Sequence, residues 1–155
     1  MADTPFAPQG RAFNSKPVKD LVGELRAVLA EDPSVDCAWL FGSVARGEAG
    51  PLSDVDVAVL LDPMIAPQDR MAIAAALVEK LERVGGRVDL VLLDEASPLL
   101  RDRVFRHGIL LLERDVRRRV AFEAQAIQEY LDFQPLAAIY DRALIARAAE
   151  GRLGR

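Results

Sequence analysis

Residues 42–61 read GSVARGEAGPLSDVDVAVLL. The closing run Val57-Ala58-Val59-Leu60-Leu61 is apolar and β-branched at its start, which predicts a buried strand. Residues two apart on a strand point the same way, with Cα atoms roughly 6.5–7 Å apart. Asp54 and Asp56 are therefore expected side by side, with Val55 and Val57 facing the opposite layer. Two carboxylates so placed repel each other unless a cation joins them. Mg²⁺ suits that position, because it is oxygen-seeking and keeps waters and substrate phosphate oxygens in its shell. Ahead of the acids, Gly42 lets the backbone come close to a phosphate. Ser43 opens a short helical turn over Ser43 to Gly47, whose free N–H groups favour an anion and whose hydroxyl adds a donor. Arg46, one turn on, either reaches a phosphate oxygen or is solvated. Ser53, directly before the acids, joins Gly42, Ser43 and Arg46 as a candidate nucleotide-binding residue.

Outward from this stretch, helix and strand alternate. Val18, Leu21, Val22, Leu25, Val28 and Leu29 recur at helical spacing over 18–30, and Val35–Phe41 reads as a strand that Gly42 breaks. After the loop Glu48–Ser53, the second strand spans Asp54 to Leu61. A helix follows over Gln68–Val84, with Met71, Ala74, Ala75, Leu77, Val78 and Leu81 on its buried side, and Gly85-Gly86 stops it. Arg87–Leu93 is a third strand, with Asp89, Val91 and Leu93 on one face. Ser97 and Pro98 are the N-cap and first residue of another helix, which runs to about Arg106. Ile109–Leu112 is a short strand, and from Arg114 the chain reads as helical in two segments parted near Phe133–Pro135. The alternation predicts an α/β class fold, a small mixed sheet flanked by helices, with a C-terminal helical extension. The expected divisions are a proline-bearing N-terminal tail over 1–16, a domain over 17–113 and the extension over 114–155.

Asp89 lies in the apolar run Arg-Val-Asp-Leu-Val-Leu-Leu, where an unpaired carboxylate is costly to bury. If the third strand lies beside the second, about 4.8 Å away, Asp89 joins Asp54 and Asp56 as a metal-binding set for one or two divalent ions. Such a site clamps the attacking and leaving oxygens of a displacement at phosphorus, with Asp89 as proton acceptor. His107, before Gly108, reads as a structural residue at a helix end with a left-handed glycine exit. Arg117-Arg118-Arg119 reads as a solvated helix face, and Tyr130, Phe133 and Tyr140 as core or partner packing.

The 155 residues carry a net charge of −4, with 51% hydrophobic and 28% charged residues, the balance of a soluble globular domain with no global attraction to nucleic acid or anionic membranes. Cys37, the single cysteine, lies in an apolar run and reads as a small core residue with a free thiol. No stretch has the length of a membrane span, and residues 1–17 lack the basic start and apolar core of a secretory signal, so the expected setting is the cytoplasm.

The stretch GSVARGEAGPLSDVDVAVLL with the later RVDLVLL resembles the polymerase-β-like nucleotidyltransferase superfamily. More narrowly, with GILLLERDVRRRVAFEAQAIQEYLDFQPLAAIYDRAL, the chain resembles the minimal nucleotidyltransferases called MNT, antitoxins encoded beside HEPN ribonuclease toxins. That resemblance implies an α+β nucleotidyltransferase fold and transfer of AMP from ATP, with Mg²⁺, to a tyrosine of a partner HEPN toxin. It implies that Gly42 and Ser43 position the nucleotide, that Asp54 and Asp56 bind metal and that Asp89 completes the catalytic triad. Two rival readings stay open. One is nucleotidyl transfer to a small hydroxyl compound such as an aminoglycoside. The other is an antitoxin that acts by sequestration alone.

Overall fold

The run Val35–Phe41 forms strand β1, in which every residue except Asp36 is buried. A strand this apolar needs a layer on each face and a strand on each side, and the chain supplies all four. On one side β2 (Val55–Leu61) runs antiparallel to it, with Asp56 opposite Phe41. On the other side β4 (Ile109–Glu113) is also antiparallel. Strand β3 (Val88–Leu92) lies parallel to β2 at the sheet edge, giving the order β3-β2-β1-β4. A parallel pair cannot be closed by a hairpin. The crossover is helix α3 (Arg70–Gly85), entered through a 3-10 turn at Pro67–Asp69 and ended by Gly86 at φ 79°. The mixed sheet flanked by helices is the expected class. The structure, a computed structural model, describes residues 16–149. The expected tail over 1–16, apart from Lys16, and residues 150–155 lie outside them.

Helix α1 (Val18–Ala30) and α3 cover one face of the sheet, where Leu21, Leu25, Leu29, Leu77 and Leu81 pack on Leu40, Val57 and Val59. Helix α4 (Pro98–His107) lies on the opposite face with the long helix α5 (Val116–Ala149) against it. There Trp39 meets Phe105 edge-on with ring centroids 5.3 Å apart, and Phe105 meets Phe122 at 6.0 Å. The short helix α2 (Gly42–Ala45) fills the turn after β1. Ser97 caps α4 as its position predicts, accepting a hydrogen bond from the Leu100 amide. Cys37 is buried and free, and burial pushes its thiol up. Among the described residues no helix is long and apolar enough to cross a membrane.

Four expectations are corrected. Helix α5 is one helix, with Pro135 inside it. Proline removes one N–H, and the carbonyl it leaves free, on Leu131, lies on an exposed stretch that water can serve. Gly108 leaves α4 in extended backbone, φ −78° and ψ 155°, and not through a left-handed turn. A side chain is excluded there because a Cβ would stand 2.4 Å from the Val104 carbonyl oxygen, which accepts the Gly108 amide. Met71 is 68% exposed and Ala75 is exposed, because α3 buries a narrower stripe through Ala74, Leu77 and Leu81. Arg118 and Arg119 are not a solvated face. Arg118 pairs with Asp36 and donates to the Leu61 carbonyl at 2.7 Å, while Arg119 pairs with Glu113 and with Glu123. The short link from β4 to α5 brings these guanidiniums over the end of the sheet, where carbonyls and Asp36 need partners.

Replacing Arg118 with Ala leaves Asp36 half-buried beside an unfilled Leu61 carbonyl. The expected cost is about 2 kcal/mol of folding stability, read as a lower urea midpoint with an unchanged slope.

Candidate active site

The antiparallel register of β1 and β2 sets the first contact of the site. Phe41 stands opposite Asp56, so the residue after Phe41 meets the Asp56 side chain. That residue is Gly42, at φ 72°. A Cβ on it would lie 2.0 Å from Asp56 Oδ2 and 2.8 Å from Asp56 Cγ. Glycine is required twice here, by its positive φ and by the carboxylate in the place of a side chain.

The parallel register of β2 and β3 sets the second contact. Asp56 pairs with Asp89, so two acidic residues stand on neighbouring strands whose backbones lie roughly 4.8 Å apart. Strand three does lie beside strand two, as the expected metal set required. Asp56 and Asp89 share the face that carries Ala58, Leu60, Val91 and Leu93, the side covered by α4 and α5. Burial raises the affinity of Asp56 for its proton, and the negative charges of Asp89 and then Asp54 raise it further, with Arg46 opposing.

Asp54 lies just before β2 and its carboxylate is 3.3 Å from Arg87 Nε. Arg87 stands two residues ahead of Asp89, and its carbonyl accepts the Val55 amide at 2.8 Å. Sequence reading missed this arginine. Its signal is the register: once Val55 is paired with Val88, the residues just before each strand are also neighbours. Arg46 pairs with Glu48 at 2.8 Å while its charge is felt at Asp56. The Ser53 hydroxyl accepts the Gly50 amide at 2.8 Å, which closes the loop ahead of the acids. Ser43 is half-buried, and its carbonyl accepts the Glu48 amide at 2.9 Å.

The donor set fits a hard divalent cation in its chemistry. Burial first and then the neighbouring carboxylates make Asp56 hold its proton more tightly, a bound cation would relieve the repulsion among them, and every donor is a carboxylate oxygen. Among the described residues, however, no three acid, cysteine or histidine side chains are already gathered into a cage. Asp54 is paired with Arg87 through one of its two oxygens.

A strand–glycine–helix turn facing acids on two adjacent strands is a nucleotidyltransferase arrangement, and the chain belongs to that class. Residues 23–117 match the family Polymerase beta, Nucleotidyltransferase, which makes the chain a member of it. Among solved structures it resembles MNT antitoxins of toxin–antitoxin complexes. A crystal structure of a toxin–antitoxin with AMP-PNP is 28% identical, with a TM-score of 0.63, covering 79% of this chain and 98% of that one. Tri-AMPylated Shewanella oneidensis HEPN toxin in complex with MNT antitoxin gives 25% identity and a TM-score of 0.59 over 83% of this chain and 99% of that one. The toxin–antitoxin MntA-HepT gives 26% and 0.57 over 81% and 98%. No curated protein sequence matches the chain significantly.

Two outcomes follow from the Gly42–Asp56 contact. Gly42→Ala is expected to lower nucleotide affinity at least about tenfold, since the new methyl displaces Asp56 and strains the turn, as read by titration with AMP-PNP. Asp56→Asn is expected to raise the melting temperature at neutral pH. The wild-type carboxyl binds its proton more tightly folded than unfolded, so its ionisation destabilises the fold as pH rises through its raised value. The advantage of Asn should shrink as pH falls below the ordinary carboxylate range, where both side chains are neutral.

Proposed function

We propose that this chain transfers AMP from ATP to a tyrosine of a cognate HEPN ribonuclease toxin and thereby neutralises it. The observation that carries the reading is the likeness to the MNT antitoxin complexed with tri-AMPylated HEPN toxin. The AMP-PNP complex supports ATP as donor. On this reading residues 17–113 form the nucleotidyltransferase domain and the residues from 114 onward a C-terminal extension, helical over Val116–Ala149.

The geometry supports a role for each residue on this reading. Gly42 and Ser43 bring backbone amides to the phosphates, because Gly42 presents no side chain on that side. Arg46, already close enough for Asp56 to feel its charge, is placed to turn from Glu48 toward a phosphate oxygen. Ser53 holds the loop that delivers Asp54, so its part in nucleotide binding is indirect. Asp54, Asp56 and Asp89 would hold Mg²⁺. When bound, that ion neutralises charge on the phosphate oxygens. The acceptor tyrosine oxygen forms a bond to the α-phosphorus, the bond from that phosphorus to the α–β bridging oxygen breaks, and pyrophosphate leaves. The phenolic proton passes to a carboxylate, and Asp89, the exposed member of the rung, is the one open to a protein acceptor. Arg87 neutralises Asp54 until a cation takes its place.

The test is incubation of the protein with α-labelled ATP, Mg²⁺ and the HEPN toxin from the adjoining reading frame. Wild type is expected to label the toxin, and Asp54→Ala/Asp56→Ala to label it at least about a hundredfold more slowly. An unlabelled toxin sinks the reading. Label on an aminoglycoside instead would favour the small-molecule transferase. Full protection of cells by the Asp54→Ala/Asp56→Ala/Asp89→Ala variant would make sequestration the mechanism.

A further inference from the structure

Helix α5 begins where β2 ends, tied there by Arg118 to Asp36 and to the Leu61 carbonyl. Further along, the Tyr130 ring lies 5.9 Å from the Arg106 guanidinium, in the last turn of α4. That turn leads through Gly108 into Ile109, which pairs with Leu40, next to the Phe41–Asp56 rung. Helix α5 therefore runs the length of the sheet and reaches the acid end at Tyr130. It does so on the face that carries Asp56 and Asp89, since Phe122 packs with Ala58 and Leu60. The helix then continues to Ala149, an arm of roughly 28 Å at 1.5 Å per residue.

The side of α5 that seals the body holds Phe122 and the fully buried Ala126. At helical spacing the same side continues onto the arm as Phe133, Leu136 and Tyr140, which are 38%, 49% and 62% exposed. The segment Phe133–Tyr140 reads FQPLAAIY and carries no charge. An uncharged patch with two aromatic residues has the composition of an interface core.

We propose that this bare stripe seats the protein acceptor, a HEPN-type toxin, and holds its accepting hydroxyl at the Asp56–Asp89 end; the proposal rests on the function proposed above. Two observations select that occupant. The arm rises on the acid face, so a protein lying on the stripe faces the carboxylates. The likeness to the MNT chain of the AMPylated complex also extends into α5. Residues 1–117, through the end of the family match, make up about three-quarters of this chain, whereas that likeness covers 83% of it.

The experiment compares wild type, Leu136→Asp/Tyr140→Asp and, on the opposite side of α5, Ile127→Asp. Each is titrated with the toxin and, separately, with AMP-PNP, and mass is measured by light scattering. The double variant is expected to bind toxin at least about tenfold more weakly, with AMP-PNP affinity and melting temperature unchanged. Its labelling rate should recover at high toxin concentration, a KM effect without loss of kcat. Ile127→Asp should match wild type in all three. Toxin binding by the double variant equal to wild type, while wild type labels the toxin, overturns the docking surface alone. A wild-type dimer that the double variant breaks with toxin affinity intact would assign the stripe to a second copy and also overturns it. Absence of toxin binding and labelling by wild type overturns the functional reading itself.

Discussion

The site depends on one close approach, that of the Asp56 carboxylate to the α-carbon of Gly42. It follows from the register between β1 and β2, which sets Phe41 opposite Asp56. Only glycine leaves room for the carboxylate and adopts the positive φ that turns the chain into α2. With Asp56 fixed by its neighbours, the parallel pairing of β2 and β3 places Asp89 on the same rung. The sheet thus gathers acids from two strands with no contribution from a long loop, and position is set by backbone hydrogen bonds.

The same geometry carries an energetic cost. A partly buried carboxylate beside two others holds its proton more tightly than usual. The protein offsets this with cations of its own, Arg46 near Asp56 and Arg87 on Asp54. These pairs are exposed and exchangeable, which suits a place where ligand and cation must enter. At the other end of the sheet the arginines serve differently. Arg114 spans the Val35, Ala30 and Asp32 carbonyls, and Arg118 joins Asp36 to Leu61. At one end of the sheet the guanidiniums are bonded to backbone carbonyls, and at the other they meet exposed carboxylates.

Much of this was legible in the sequence where local chemistry dominates. The helix over 18–30 and the strand over 35–41 have in the structure the bounds that their apolar periodicity predicts. The Ser97-Pro98 start of α4 follows from capping chemistry alone. Legibility failed where a residue's role depends on what lies far along the chain. The arginines at 118 and 119 look like a solvated run until β1, β2 and β4 are folded beneath them. Gly108 looks like a left-handed exit until the Val104 carbonyl is seen in the way of any side chain. Pro135 reads as a break, yet the helix passes through it, because its one lost hydrogen bond falls on an exposed stretch.

By itself, the sequence determined the chemistry that the site can hold: a glycine and serine turn, two acids two residues apart, and a third in an apolar run. Residue type and spacing are local properties, and a strand's alternation carries them without reference to the rest of the chain. Only the tertiary structure decided that Asp89 pairs with Asp56, that Asp54 meets Arg87, and that α5 leaves the body at the acid end with its apolar side uncovered. Strand order and register are pairings between distant segments. Their selection comes from burying both faces of β1 at once, which no local stretch can accomplish alone.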